Sequence, residues 1–304
     1  VHGETAGVSD LPSSRRLTED SQETYRFVGL HSPVTNQSKV CRLLPLQLPG
    51  RGVGRPKAWR EGASKYDTMA ATLPKLIIFA SGTKDGGGSG FEKLVEAQKE
   101  GVLKAEIVAV VSNWPEGGVA QRAARLEIPF EHLGAPYISE KYLAILEKYG
   151  AEWVSLSGWL KLVPVSDPHK DPPTPGLDPK RSINIHPGPL PRFGGGGMYG
   201  KKVHEAVWAA FEEEKGKEGA VKGSGPTMHF VTAEYDEGPA FFHVTAPLEE
   251  GDGPEGVAKK VNELEHKWQA WATNLVVNGE IAWDGKDKKS LRVPEGYQFL
   301  PPQH

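Results

Sequence analysis

"KLIIFASGTKDGGGSGFEKLVEAQKEG", Lys75 to Gly101, sets the architecture. Its opening residues form a short apolar run that stops at a glycine-rich segment, as a buried parallel strand does. Phe91, Leu94 and Val95 then recur on one helical face, and a glycine closes the turn. Working outward, the alternation continues. "AEIVAVVSNW" reads as a second strand, "GGVAQRAARLE" as a short helix and "IPFEHL" as a third strand. "SEKYLAILEKYG" reads as an amphipathic helix, with Ser139 as its cap and Gly150 as its stop, and "AEWVSLSGWL" as a fourth strand. This β-α order predicts an α/β domain of three αβα layers around a doubly wound, mostly parallel sheet. Residues 163–181 are proline-rich and read as a loop. A strand "SINIHPG", a helix "VHEAVWAAFEEE" and a C-terminal antiparallel hairpin within "GPTMHFVTAEYDEGPAFFHVTAPL" follow. A long closing helix then ends before Gly279.

The chain has 304 residues and a net charge of -3, which gives no electrostatic case for nucleic acid or an anionic membrane. No apolar stretch approaches the roughly 18 residues of a membrane span. Cys41 is the single cysteine, so neither an intramolecular disulfide nor a cysteine-based metal cluster is expected, and a reducing, cytoplasmic setting is. Residues 1–73 are rich in Ser, Arg, Pro and Gly without a sustained period, and read as a disordered extension or leader. Glu4, Asp10, Glu19, Asp20 and Glu23 argue against a transit peptide. Met69, directly before "AATLPKLIIFASG", is a candidate start.

Three places could carry chemistry. The loop "SGTKDGGGSGF" joins a strand to a helix N-terminus, where free N–H groups suit a phosphate; a flexible turn without a ligand is the plainer reading. It matches neither a dinucleotide fingerprint nor a Walker loop. In "SINIHPGPLP", Asn184 and His186 are two residues apart on a strand, so they project to one side at its carboxyl end. Such a pair can stabilise an oxyanion and handle a proton, or make an ordinary structural contact. Asp236 in "TAEYDEGP" is either a turn former or the partner of His186. His229 could join that cluster or serve as a core histidine. Glu265 and His266 face either a ligand or, by default, solvent. His132, His169, His204 and His243 have no partner legible in the sequence.

The ordered set "ASGTKDGGGSGFEKL", "LSGWLKLVP", "INIHPGPLP", "HFVTAEYDEGP" and "NELEH" resembles the folate-dependent formyltransferase family, in its glycinamide-ribonucleotide branch. The resemblance spans roughly Lys75 to Pro301 and implies a formyltransferase domain over 74–304. It implies transfer of a formyl group from 10-formyltetrahydrofolate, as co-substrate, to the amine of glycinamide ribonucleotide in purine synthesis. Asn184, His186 and Asp236 would then be catalytic. A protonated His186, kept charged by Asp236, would assist Asn184 at the oxyanion. Gly88, Ser89, Gly90, Pro187 and Glu265 would bind the ribonucleotide. Trp159, Leu160, Lys161, Leu162 and Val163, with Asn184, Thr232, Ala233, Glu234 and Tyr235, would line the folate pocket. No metal, nucleic acid or membrane is implied.

Some positions depart from the family pattern. The glycine-rich loop is longer, through Lys84 to Gly87. Gly90 stands where an asparagine is frequent, so anchoring there is expected from backbone N–H alone. Lys161 stands where arginine is frequent. Methionyl-tRNA and water are the rival formyl acceptors within the family, and a catalytically silent phosphometabolite-binding module is the rival from outside it.

Overall fold

Period-two burial builds the sheet. In β1 (Lys75–Phe79), Leu76 and Ile78 pack against one helical layer while Ile77 and Phe79 pack against the other, and all four are fully buried. The structure, a computed structural model, describes residues 72–167 and 169–301, which fall in one unit spanning Asp67–His304. The expectations for residues 1–71, with Cys41 and Met69, lie outside the described residues.

After β1 come α1 (Ser89–Lys99), β2 (Glu106–Ser112), α2 (Gly118–Leu126), β3 (Phe130–His132), α3 (Ser139–Tyr149) and β4 (Trp153–Ser157). β5 (Ser182–His186), α4 (Lys201–Glu213), β6 (Gly223–Ser224), β7 (Thr227–Phe230), β8 (Ala240–His243), β9 (Ala246–Pro247) and α5 (Gly253–Val277) complete the order. Seven strands form one sheet in the order β3-β2-β1-β4-β5-β7-β8. Pairing is parallel from β3 through β5 and antiparallel at β7 and β8, as the sequence predicts. β6 and β9 form a separate two-stranded sheet, too short to show a period in the sequence.

Each helix is amphipathic toward its layer. Phe91, Leu94 and Val95 of α1, Val119 and Ala123 of α2 and Ala270 of α5 meet Leu76 and Ile78 on one face. Tyr142 and Ile145 of α3 and the buried part of the 159–177 segment meet Ile77 and Phe79 on the other. One local expectation fails. Ile138, extended at φ -105°, occupies the cap of α3, because Ser139 is already its first helical residue, and the Ser139 hydroxyl donates instead to the Pro175 carbonyl of the proline-rich loop at 2.7 Å. Gly150 does close that helix, at φ 59°.

The chain runs outward from β1 through β2 to β3, then returns to place β4 on the opposite side of β1. The crevice at the carboxyl ends of β1 and β4 is the switch point where open α/β sheets bind ligands. A cavity of about 410 Å³ opens there.

Candidate active site

The loop after β1 is held rather than flexible. The Gly82 N–H donates to Asn113 Oδ1 at 3.1 Å, the Thr83 N–H to the Gly86 carbonyl at 3.0 Å, and the Gly118 N–H to the Thr83 carbonyl at 3.1 Å. Of the extra residues Lys84 to Gly87, Lys84 and Asp85 are exposed at the tip of the loop, while Gly87 lines the cavity. Gly87 and Gly88 take φ of 94° and 81°, in the left-handed region, and a Cβ on Gly87 would overlap the Ser81 carbonyl oxygen. Gly88 caps α1, so the first N–H groups of the helix have no intrahelical acceptor. Arg122 ties the loop down, donating to the Gly87 carbonyl at 2.7 Å and to Glu92 at 2.9 Å. Anchored N–H groups at the positive end of a helix dipole form an anion site.

Side chains build the other end. Antiparallel pairing sets Asn184 of β5 directly opposite His229 of β7, and the Asn184 Nδ2 donates to His229 Nε2 at 3.0 Å. His229 Nδ1 donates to the Phe230 carbonyl at 2.8 Å. Asp236 arrives from the β7–β8 turn with φ 55°, a left-handed conformation that Asp tolerates better than most residues. Its Oδ1 lies 3.4 Å from His229 Nε2 and its Oδ2 3.5 Å from His186 Nδ1, and Oδ2 also accepts the Gly195 N–H at 3.0 Å. His186 Nε2 donates to the Phe193 carbonyl at 2.7 Å. His229 therefore joins the cluster, its Nε2 lying between the Asn184 amide and the Asp236 carboxylate.

Electrostatics separate the two ionisable partners. Burial raises the pKa of Asp236, but His229, His186 and the Gly195 N–H together outweigh it and hold the carboxyl below its usual range. For His186, burial is the strongest influence and pulls the pKa down. The Asp236 carboxylate and the Phe193 carbonyl pull it up, and His229 pulls it down; the result lies below the ordinary histidine value. The Asp236 carboxylate thus favours the charged ring and burial disfavours it, burial being the stronger of the two.

α5 supplies the third wall. Asn262, Glu265 and Gln269 are spaced three and four residues apart, which puts them on one helical face, and all three line the cavity. Solvent is thus not where Glu265 points. Burial pushes its pKa up to about 7, against a weaker opposing contact from Asn262. Perturbation of this kind marks functional carboxyls.

Gly88, Ser89, Gly90, Pro187, Glu265, Asn184, His186 and Asp236 all line this cavity, as do Trp159 to Val163 and Thr232, Glu234 and Tyr235. Ala233 is exposed and does not, because it sits on the outer side of the turn. Leu160, Leu162 and Tyr235 are half exposed, an apolar rim. Trp159 and Val163 are instead mostly core: Trp159 Nε1 donates to Tyr142 Oη at 3.2 Å, and its ring packs edge-on against Phe79. Lys161 Nζ lies 5.9 Å from the centre of the Tyr137 ring. His229, which the sequence left open between this cluster and the core, also lines the cavity, as do His204, Asn262 and Gln269, which the sequence did not name as site residues. For Asn262 and Gln269 the signal was available, as helical spacing around Glu265. Among the described residues no cluster of three or more His, Cys, Asp or Glu could hold a metal, and no helix is long and apolar enough to cross a membrane.

The family described as formyl transferase matches residues 74–273. A chloroplastic phosphoribosylglycinamide formyltransferase of Arabidopsis thaliana is 36% identical over 216 residues, 69% of this chain and 67% of that protein. A formyltetrahydrofolate deformylase of Bacillus subtilis (strain 168) is 30% identical over 192 residues, 60% of this chain and 55% of the relative. The crystal structure of glycinamide ribonucleotide transformylase 1 from Symbiobacterium toebii superposes with a TM-score of 0.58 at 26% identity, over 73% of this chain and 95% of the other. With this fold, this crevice and a family match over well more than half its length, the chain belongs to the formyl transferase family.

Proposed function

We propose that the chain transfers a formyl group from 10-formyltetrahydrofolate to the amine of glycinamide ribonucleotide, a step of purine synthesis. One observation carries the choice of acceptor. A single cavity joins an anchored helix N-terminus, at Gly88 to Gly90, to the polar cluster of Asn184, His186 and Asp236. The phosphate of the ribonucleotide belongs at the first end and its amine at the second. The apolar rim of Leu160, Leu162 and Tyr235 suits the folate ring system.

The amine nitrogen bonds to the formyl carbon, the bond from that carbon to the folate nitrogen breaks, and the amine proton passes to the departing folate. Between these events the formyl oxygen carries negative charge. Asn184 has a second amide hydrogen beyond the one given to His229, and donates it to that oxygen. The neutral His186 ring exchanges the Phe193 carbonyl for the same oxygen. Asp236, ionised beside Nδ1, stabilises the charged ring that forms as the proton moves. Glu265, half-buried and near neutrality in pKa, accepts a hydrogen bond from the ribonucleotide.

Water is the rival acceptor, given a relative named as a deformylase, but water has no use for the anion site. Purified full-length chain should turn over 10-formyltetrahydrofolate with glycinamide ribonucleotide and not with water or methionyl-tRNA. Equal turnover with water alone would overturn the assignment. The cytoplasm is the proposed compartment; the similar A. thaliana protein is named as chloroplastic, and imaging the full chain fused to a fluorescent protein decides between them.

A further inference from the structure

The second residue of α1 is a glycine for a reason that lies on α5. A Cβ on Gly90 would overlap Ser157 Oγ and would stand 3.0 Å from Gln269 Oε1. The place of a side chain at position 90 is therefore taken by a serine–glutamine pair, in which Ser157 Oγ donates to Gln269 Oε1 at 3.2 Å. Gln269 is 2% exposed and lines the cavity, yet its Nε2 has no hydrogen-bond partner among the described residues. Turning the amide over does not settle the account: Nε2 would donate one hydrogen to Ser157 Oγ and keep another, and the serine hydroxyl would be released as a donor. In either orientation two donor hydrogens go unspent beside the first N–H groups of α1. A buried amide without a partner costs stability, and a native site of this kind calls for an acceptor that comes and goes.

We propose that Gln269 is a substrate-binding residue, whose side-chain amide donates to an acceptor oxygen on the sugar-phosphate end of the substrate. It supplies from α5 the side-chain contact that Gly90 cannot make, so anchoring at this end is not left to backbone N–H groups alone. The inference rests on the glycinamide ribonucleotide reading of the same cavity. Nothing in it concerns the folate end, since Gln269 and the Leu160–Leu162 rim lie on different walls.

The test is steady-state kinetics on the full chain with Gln269→Met, which keeps the volume and removes the donors, supported by Gln269→Glu, which replaces the donors with an acceptor facing the anion. Gln269→Met should raise KM for glycinamide ribonucleotide about ten-fold to a hundred-fold, with kcat and the KM for 10-formyltetrahydrofolate changed less than about two-fold. Gln269→Glu should raise the same KM further, and inorganic phosphate should inhibit either variant more weakly than the wild type. Unchanged KM for the ribonucleotide in a folded variant would overturn the proposal, as would equal losses toward both substrates. If one substitution prevents folding, checked by thermal melting, the other carries the same comparison. Should the wild type fail to use glycinamide ribonucleotide at all, the assignment of function falls first, and the two failures remain distinct.

Discussion

The two ends of the cavity are made of different materials. At one, the chain presents backbone: Gly87 to Gly90 line the cavity at the start of α1, in a loop that Arg122 holds at Gly87 and Asn113 holds at Gly82. At the other, it presents side chains held by one another: Asn184 is bound to His229, His229 to Phe230, and Asp236 to the Gly195 N–H, with both histidine rings beside it. Backbone donors are lost only to proline, so the first end is sensitive chiefly to anything that adds bulk. The second end keeps its backbone course under substitution but depends on each functional group. Binding and chemistry are thereby exposed to different kinds of change.

The largest effect should come from the side-chain end. His186→Ala and Asp236→Asn are each expected to lower kcat by about 10²–10³ while the fold persists, measured by turnover and by circular dichroism. Near-wild-type rates in both would erase the distinction between the ends. An intermediate effect is expected at the backbone end from Gly87→Ala. The left-handed φ and the overlap with the Ser81 carbonyl should together cost roughly 2–3 kcal/mol, read as a lower Tm, and should weaken ribonucleotide binding more than folate binding. A Tm equal to the wild type would show that the loop can relax.

The smallest effect sharpens the boundary between the ends. With the Glu265 pKa raised to about 7 in the folded chain against an unfolded value near 4.5, folding takes up a proton between those values. Stability from the protonated carboxyl is whole below the unfolded value and is lost as pH rises through the folded one. Glu265→Gln should therefore be more stable than the wild type by about 1–2 kcal/mol at alkaline pH, with the difference closing toward acid, while it binds the ribonucleotide less well. Melting curves across pH check this, and a pH-independent difference would contradict it.

Most of this fold was legible because buried parallel strands are short apolar runs and their helices carry clear apolar faces, as in Leu76–Phe79 and Phe91–Val95. Ser139 misled because the chain turns helical one residue sooner than the capping pattern suggests, leaving its hydroxyl to donate to a carbonyl of the proline-rich loop 36 residues away. The Asn184 and His186 pair was readable from strand alternation alone. His229 needed the antiparallel register, which a sequence does not state. The balance at His186 was not legible, because a carboxylate neighbour can be guessed from motifs, whereas the depth of burial that opposes it belongs to the folded chain. Helical spacing from Glu265 put Gln269 within reach of the sequence, but its role was not, because that depends on the empty Cβ position of Gly90 on the neighbouring helix α1.

The most direct check follows the fate of an isotope-labelled formyl group on 10-formyltetrahydrofolate. The label should appear on the amine of glycinamide ribonucleotide, one for each tetrahydrofolate released, and only when the ribonucleotide is present. Label released as formate at the same rate with and without the ribonucleotide would contradict it.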